Sequence, residues 1–551
     1  MVQNLPIEIW LYIAEFIPPR DFVKLVSANR VFFNMIMNEL YGDLSFISAD
    51  PRIFVEKLKT LQTPSLASRV RKLTVWPAAI REAIRVLEPV EPLRPVTPSA
   101  RRKIKGKQPS KFESVTKLPI LQDFLRKSPT SPKKCAPPKP TLPKPETRLE
   151  MFLAALRTLD NVEELEINWS IDKGHKDYIW KFPFFNDIWQ SVGPTLRRLS
   201  IEVKLSKMQD VIRSIGALPN VEELELTLRK EAGDANVEDS VVPDFVNKMK
   251  ASLCSLTIKT IGHQELTFFT LLEEFPHLKT LALSMPLDSH HLPSVDGFRK
   301  FIINHPTIRT LELRYTPCCR ESSTDGFHTP GDDKHILYSN LSLPALQNLK
   351  LGLRLPIPRS GRSSFLRSIA SLNTTLVSLT LVDRSLSLDE VKTVIPYFAR
   401  HSLRKLSLFA KNLSPQLIDV LAKTCPVLGS LSLDVQNVIK SETVGSSSPP
   451  PKDSDVVGFV QALFGYAVDL DNDRWRYKTW SLTDISVMRW AFGVGHGYDY
   501  ECMKAIAYVV PTVRSFSGKG DMTERGTRPS KPGTTGKLIV DIGEKSKPLD
   551  Q

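Results

Sequence analysis

Cysteine is scarce: six in 551 residues (Cys135, Cys254, Cys318, Cys319, Cys425, Cys502), with no CxxC pair and no regular spacing. That excludes a disulfide framework or a thiolate zinc site as the organising device and fits a reducing compartment, cytoplasm or nucleus. Long apolar runs are also missing. No stretch of roughly 18 apolar residues could cross a bilayer, and the opening MVQNLPIEIW lacks the basic start and apolar core of a secretion signal. A soluble chain with no membrane partner is expected. Chemistry-bearing motifs are equally rare. GVGHG from Gly493 lacks the GxGxxG spacing of a phosphate loop. His290-His291 has no acidic or cysteine cluster at metal spacing, and Cys318-Cys319 has no His and Asn context for a nucleophile. The sequence therefore predicts no catalytic residue, no metal, no cofactor and no enzymatic activity.

Acidic residues are outnumbered, leaving a net charge of +14, but the excess is local. Between Glu88 and Glu146 there are 14 Lys/Arg and 5 Asp/Glu, so this segment carries 14 − 5 = +9 of the total. Residues 88–147 also hold thirteen prolines. Such a composition buries too little apolar surface to order itself, so a disordered basic insert is expected. Within it lie RRKIKGK from Arg101, a nuclear-signal pattern, and the proline-directed sites Thr97, Ser128 and Ser131, whose phosphorylation would offset positive charge. A flexible loop at 439–456 and a disordered tail at 521–551 are read on the same grounds.

What is abundant is a repeat, LxxLxL. It recurs as VRKLTV from Val70, VEELEI from Val162, LRRLSI from Leu196, VEELEL from Val221, LCSLTI from Leu253, LKTLAL from Leu278 and IRTLEL from Ile308. LQNLKL from Leu346, LVSLTL from Leu376, LRKLSL from Leu403, LGSLSL from Leu428, LTDISV from Leu482 and VRSFS from Val513 continue it. A short strand with two inward leucines per unit, alternating with helical stretches such as MQDVIRSIGAL and SPQLIDVLAKT, predicts an α/β solenoid: a curved parallel sheet with helices outside. Proline stands two residues before many units (Pro194, Pro219, Pro276, Pro306, Pro344, Pro426, Pro511), where it stops the helix and sets up strand entry. The array is expected to start within 47–87, resume over 148–438 and close at 457–520, where the aromatics around Trp475, Trp480 and Trp490 pack the terminal units.

The first 46 residues have a different pattern, three short apolar stripes separated by turn signals: Ile9, Ile13 and Ile17, then Phe22, Leu25 and Val26, then Phe32, Met35 and Ile36. The order Leu5-Pro6, Glu8-Ile9, Asp21-Phe22, Leu25-Val26-Ser27, Phe32 resembles an F-box, and with the repeats the chain resembles divergent leucine-rich F-box proteins of filamentous fungi. The usual late Trp is replaced by Leu40-Tyr41. The resemblance implies that Leu5, Pro6, Ile9, Ile13, Leu25, Val26 and Phe32 dock a Skp-type adaptor and through it a cullin, making the chain the substrate-recognition subunit of an SCF-type ubiquitin ligase. Strand alternation then puts Glu164, Glu166, Glu202, Glu223, Glu225, Lys405 and Phe409 on the concave face. The expected partner is a protein substrate, recruited through a basic segment by an acidic N-terminal half, with the basic insert poised to mask that surface. The second reading is a basic nuclear scaffold that binds nucleic acid or chromatin through 88–147. It is disfavoured because no aromatics interleave with the charge for base stacking.

Overall fold

The computed structural model describes residues 5–17, 21, 23–25, 27, 30–84, 142–169, 184–216, 218–229, 240–261, 267–285, 295–315, 341–352, 369–370, 372, 376–399, 402–442, 455–469, 474–491 and 495–517. Each LxxLxL unit becomes one strand of a single sheet, joined at its start by β1 (Asp43–Phe46), which lies outside the repeat pattern: β2 (Lys72–Val75), β3 (Glu164–Trp169), β4 (Arg198–Lys204), β5 (Glu223–Arg229), β6 (Ser255–Ile261) and β7 (Thr280–Met285). It continues with β8 (Thr310–Tyr315), β9 (Asn348–Gly352), β10 (Ser378–Leu386), β11 (Lys405–Leu413) and β12 (Ser430–Val438). These twelve lie side by side in chain order and all pair in parallel. A short antiparallel pair, β13 (Val468–Asp469) and β14 (Arg474–Trp475), stands apart. The main sheet resumes with β15 (Asp484–Ala491), whose free edge is shared by β17 (Ser515–Phe516) and the antiparallel β16 (Gly495–Tyr498). The protein is thus an α/β leucine-rich-repeat-type solenoid.

The unit has a backbone cause as well as a side-chain one. The two residues that open each strand give both N–H groups to one carbonyl of the preceding unit. Glu163 and Glu164 donate to Arg71 O at 2.8 and 2.9 Å, Arg197 and Arg198 to Glu163 O, Glu222 and Glu223 to Arg197 O. The pattern repeats to Arg514 and Ser515 on Thr483 O. Polar side chains just before the first apolar residue add a second tie: Thr195 Oγ1 donates to Val162 O (2.8 Å), Ser252 Oγ to Val221 O (2.8 Å) and Thr307 Oγ1 to Leu278 O (2.9 Å). The polar backbone at each tight entry is thereby satisfied where it would otherwise be buried unpaired. The LxL side chains then turn inward, as at Leu224 and Leu226 or Leu281 and Leu283, all buried. They meet helices such as Phe184–Val192, Pro415–Thr424 and Val456–Ala467, and the buried side chains form one continuous core.

Four boundaries differ from the sequence reading. First, β1 lies inside the segment assigned to the F-box, so the array begins at Asp43; the strand is short and its LSF pattern too brief to signal a repeat. Second, within the expected middle helix Asp21 is helical and Val23–Leu25 form a 3₁₀ turn, with Phe22 and Val26 outside the described residues. Third, the insert ends earlier than 147. Helix Pro145–Leu156 begins there with proline in its first turn, and buried Arg148 donates from Nη1 to Ala83 O (2.5 Å), tying it to helix Pro77–Ile84. Because β2 pairs with β3 in register, Lys72 opposite Glu164, the insert interrupts the chain and not the sheet. Fourth, the tail of GVGHG forms edge strand β16. Residues 85–141 and 518–551, His290-His291, Cys135, Cys318 and Cys319 lie outside the described residues. Trp480 is buried as expected at the C-terminal end, its Nε1 donating to Cys425 O at 2.9 Å. Among the described residues no helix is long and apolar enough to cross a membrane.

Candidate protein-binding surfaces

At the N-terminal end, helix Ile7–Glu15 packs on helix Arg30–Tyr41 through Trp10, whose ring meets Phe32 edge-on at 5.3 Å and 77°. This contact fixes the rotation of the first helix. Residues 5, 9, 12 and 16 then fall on one outward line. Leu5, Ile9, Tyr12 and Phe16 are all exposed, Phe16 to 69%, with Tyr12 and Phe16 edge-on at 5.0 Å; Ile7 and Leu11, on the other side of the helix, are exposed as well. Pro6 is also exposed, whereas Ile13 and Leu25 are half-buried. Phe32, expected on the docking surface, is 4% exposed and belongs to the bundle's own core. Tyr12 and Phe16 were missed by the sequence reading, although their spacing from Leu5 (i+7, i+11) was available. Guanidinium Arg69 seats the bundle on the solenoid, donating to Asn34 Oδ1 (2.9 Å) and Asn38 Oδ1 (2.6 Å). Lys57 Nζ donates to the Ser45 carbonyl and burial lowers its pKa.

On the concave face the structure brings Glu164, Glu166, Glu202, Glu223 and Glu225 together around a groove of about 500 Å³. It also brings cations between them. Across the opening row of the strands, Asp43, Lys72, Glu164, Arg198 and Glu223 are successive in-register neighbours and alternate in sign. Arg198 bridges Glu164 (2.9 Å) and Glu223 (3.3 Å), Lys72 faces Glu166 (3.8 Å), Arg229 Nε donates to Glu202 (2.9 Å), and Lys259 pairs with Glu225. One row earlier, Arg71–Glu163 (3.6 Å) and Arg197–Glu222 (3.8 Å) repeat the motif. Four cations against the five glutamates leave 4 − 5 = −1. Each exposed pair is worth less than about 1 kcal/mol, yet together they cancel the field that the strands suggested singly. The expected acidic half is a charge-balanced lattice, and the electrostatic reason for a basic segment or the insert to settle there is removed. The signal lay in the alternating dipeptides of VRKL, VEEL, LRRL and VEEL.

In the middle of the face, Glu312 is held by Lys350 (2.9 Å) and Arg314 (3.2 Å), and Arg314 reaches Asp383 (3.9 Å) across β9. That reach needs Gly352, because a Cβ there would stand 2.4 Å from Asp383 Oδ2. Further along, β11 presents exposed Lys405, half-buried Ser407 and Phe409, and exposed Lys411 on one side. The buried thiols Cys425 and Cys502 are raised by desolvation, Cys425 to about 12, which keeps them protonated. Among the described residues no group of three or more His, Cys, Asp or Glu is placed to hold a metal ion.

No protein-family model and no curated protein matches the chain. Solved structures similar to it include the leucine-rich-repeat protein LegL7 from Legionella pneumophila (12% identity, TM-score 0.33, covering 62% of this chain and 96% of that one). A TLR13–ssRNA13 complex matches at 16% identity and TM-score 0.31 over 60% and 46% of the two chains. The yeast Rad7–Elc1 complex matches at 15% identity and TM-score 0.24 over 56% and 83%.

Proposed function

We propose that the chain is the substrate-recognition subunit of an SCF-type cullin-RING ubiquitin ligase, acting in the cytoplasm or nucleus. Its N-terminal bundle docks a Skp-type adaptor, and its concave face holds a protein substrate. The observation that carries this reading is the uncovered apolar line Leu5, Ile9, Tyr12 and Phe16, on a bundle whose own core is already supplied by Trp10, Phe32 and Ile36. Large side chains turned away from a completed core mark a surface meant for another protein, since covering each is worth roughly 1.5 to 3 kcal/mol. Their place in a segment that resembles an F-box supports a Skp-type adaptor as that protein.

The test is co-purification of adaptor and cullin with the full chain. Ile9→Asp with Phe16→Asp changes two exposed positions, so the bundle keeps its fold while the interface would have to bury two unpaired carboxylates. Adaptor recovery should fall at least about tenfold. Unchanged recovery by this variant would remove the reading.

A further inference from the structure

The two halves of the concave face treat their charges differently. From β2 to β9 the strand cations Lys72, Arg198, Arg229, Lys259, Arg314 and Lys350 each have a carboxylate partner. On β11, the side chains of Lys405 and Lys411 form no hydrogen bond or ion pair with any described residue. Their surroundings are rich in unused donors. Lys405 stands in register between Ser378 of β10 and Ser430 of β12. Ser407, next along the strand, stands between Thr380 and Ser432 in the same way. The hydroxyls of Ser378, Thr380, Ser407 and Ser432 are likewise uncommitted among the described residues, whereas Ser430 Oγ donates to Asp484 (3.1 Å).

We infer that this strip, running along β11, is a recognition site for an acidic peptide segment of a partner protein. It deepens the substrate-receptor reading and rests on it for the role of the concave face. An unpaired ammonium ringed by free hydroxyls satisfies a carboxylate without first breaking an ion pair, which a site in the paired half would have to do. The middle of the strip selects against charge. Phe409 lies between the two lysines and is opposite Asp434 in register, so a carboxylate there would meet both an aromatic ring and a like charge. The segment that fits therefore has an acid, an apolar residue and a second acid. Six residues of strand separate Lys405 from Lys411, about 20 Å, so the acids of an extended segment lie about six residues apart. Two lysines flanking an aromatic are too few for a phosphate backbone, which needs a longer basic track.

The experiment titrates the full chain into a labelled extended peptide carrying two glutamates about six residues apart with a leucine between them. The same peptide with both glutamates replaced by glutamine is the reference. The acidic peptide should bind at least about tenfold more tightly, and the difference should shrink at high salt because exposed charges are screened. Lys405→Glu with Lys411→Glu should lose that tenfold, while Arg198→Glu in the paired half should keep it. If charge reversal unfolds the strand, Lys405→Gln with Lys411→Gln, which keeps the side-chain stems, is read instead. Equal binding of the two peptides, retention by the lysine variants, or stronger competition by a single-stranded oligonucleotide than by unlabelled acidic peptide would each overturn the inference. Adaptor recovery measured on the same preparations separates the two claims. In the unmutated chain, no preference for the acidic peptide with adaptor still recovered removes only this inference, and no adaptor with that preference present removes only the ligase reading.

Discussion

His305 shows how one side chain can link two units. It is 1% exposed; its Nε2 accepts from the Phe275 N–H at 2.8 Å while Nδ1 meets the Phe301 carbonyl. Only a neutral ring with the proton on Nδ1 satisfies both, so the tautomer is set by its neighbours. Burial lowers its pKa below the ordinary 6.5, outweighing the Phe301 carbonyl and Glu274, which both raise it. The sign of the pH effect follows. Below 6.5 the unfolded chain takes up a proton that the folded chain refuses, so stability falls as pH drops through that window and levels off below the folded pKa. We predict that the denaturant midpoint declines between about pH 6.5 and the folded value. His305→Phe should remove His305's share of that decline while costing about 1 to 3 kcal/mol at neutral pH, because the Phe275 N–H is left unpaired. A variant with an unchanged pH slope would show that other groups set it.

At the scale of elements, the joint between bundle and solenoid decides where the protein can be divided. The helix Arg30–Tyr41 passes through Gly42 straight into β1, whose carbonyls and side chains are already part of the array. Gly42 O receives both Arg71 and Lys72 N–H, and Phe46 packs edge-on against Phe54 and Phe152. A truncation that begins at residue 42 should therefore stay folded with a lowered midpoint, whereas one that begins at residue 47 uncovers the β2 edge and the phenylalanine cluster. We expect the second to aggregate or to lose at least about 3 kcal/mol more, as for deletion of a buried Phe. Thermal unfolding and light scattering of the two fragments check this, and equal behaviour would show that β1 adds nothing to the array.

Over the whole molecule, the apolar line of the bundle and the lysine strip of β11 sit ten strands apart. At about 4.8 Å per strand this is near 48 Å along the sheet. Solenoid units touch mainly their neighbours, so changes at one end reach the other weakly. The two surfaces should act independently: combining Ile9→Asp and Phe16→Asp with Lys405→Glu and Lys411→Glu should give adaptor and peptide losses equal to those of the separate variants within about 0.5 kcal/mol. Binding isotherms of the combined variant test it, and a larger mutual effect would mean that the ends communicate.

The sequence alone determined the solenoid, because a leucine every second position in units about 25 to 38 residues apart has one way to bury its apolar side. Inward Leu281 and Leu283, the concave placement of Glu164, Lys405 and Phe409, and the closing role of Trp480 were all legible from that period. Only the tertiary structure decided which charges stand alone. Glu164 and Arg198 are 34 residues apart in the chain and 2.9 Å apart in space, and no local pattern along either strand states that pairing. The same holds for the bundle, where the Trp10–Phe32 contact, made between two helices, turns Ile9, Tyr12 and Phe16 outward and buries Phe32. Period belongs to the chain; pairing and exposure belong to neighbours that the fold brings from elsewhere.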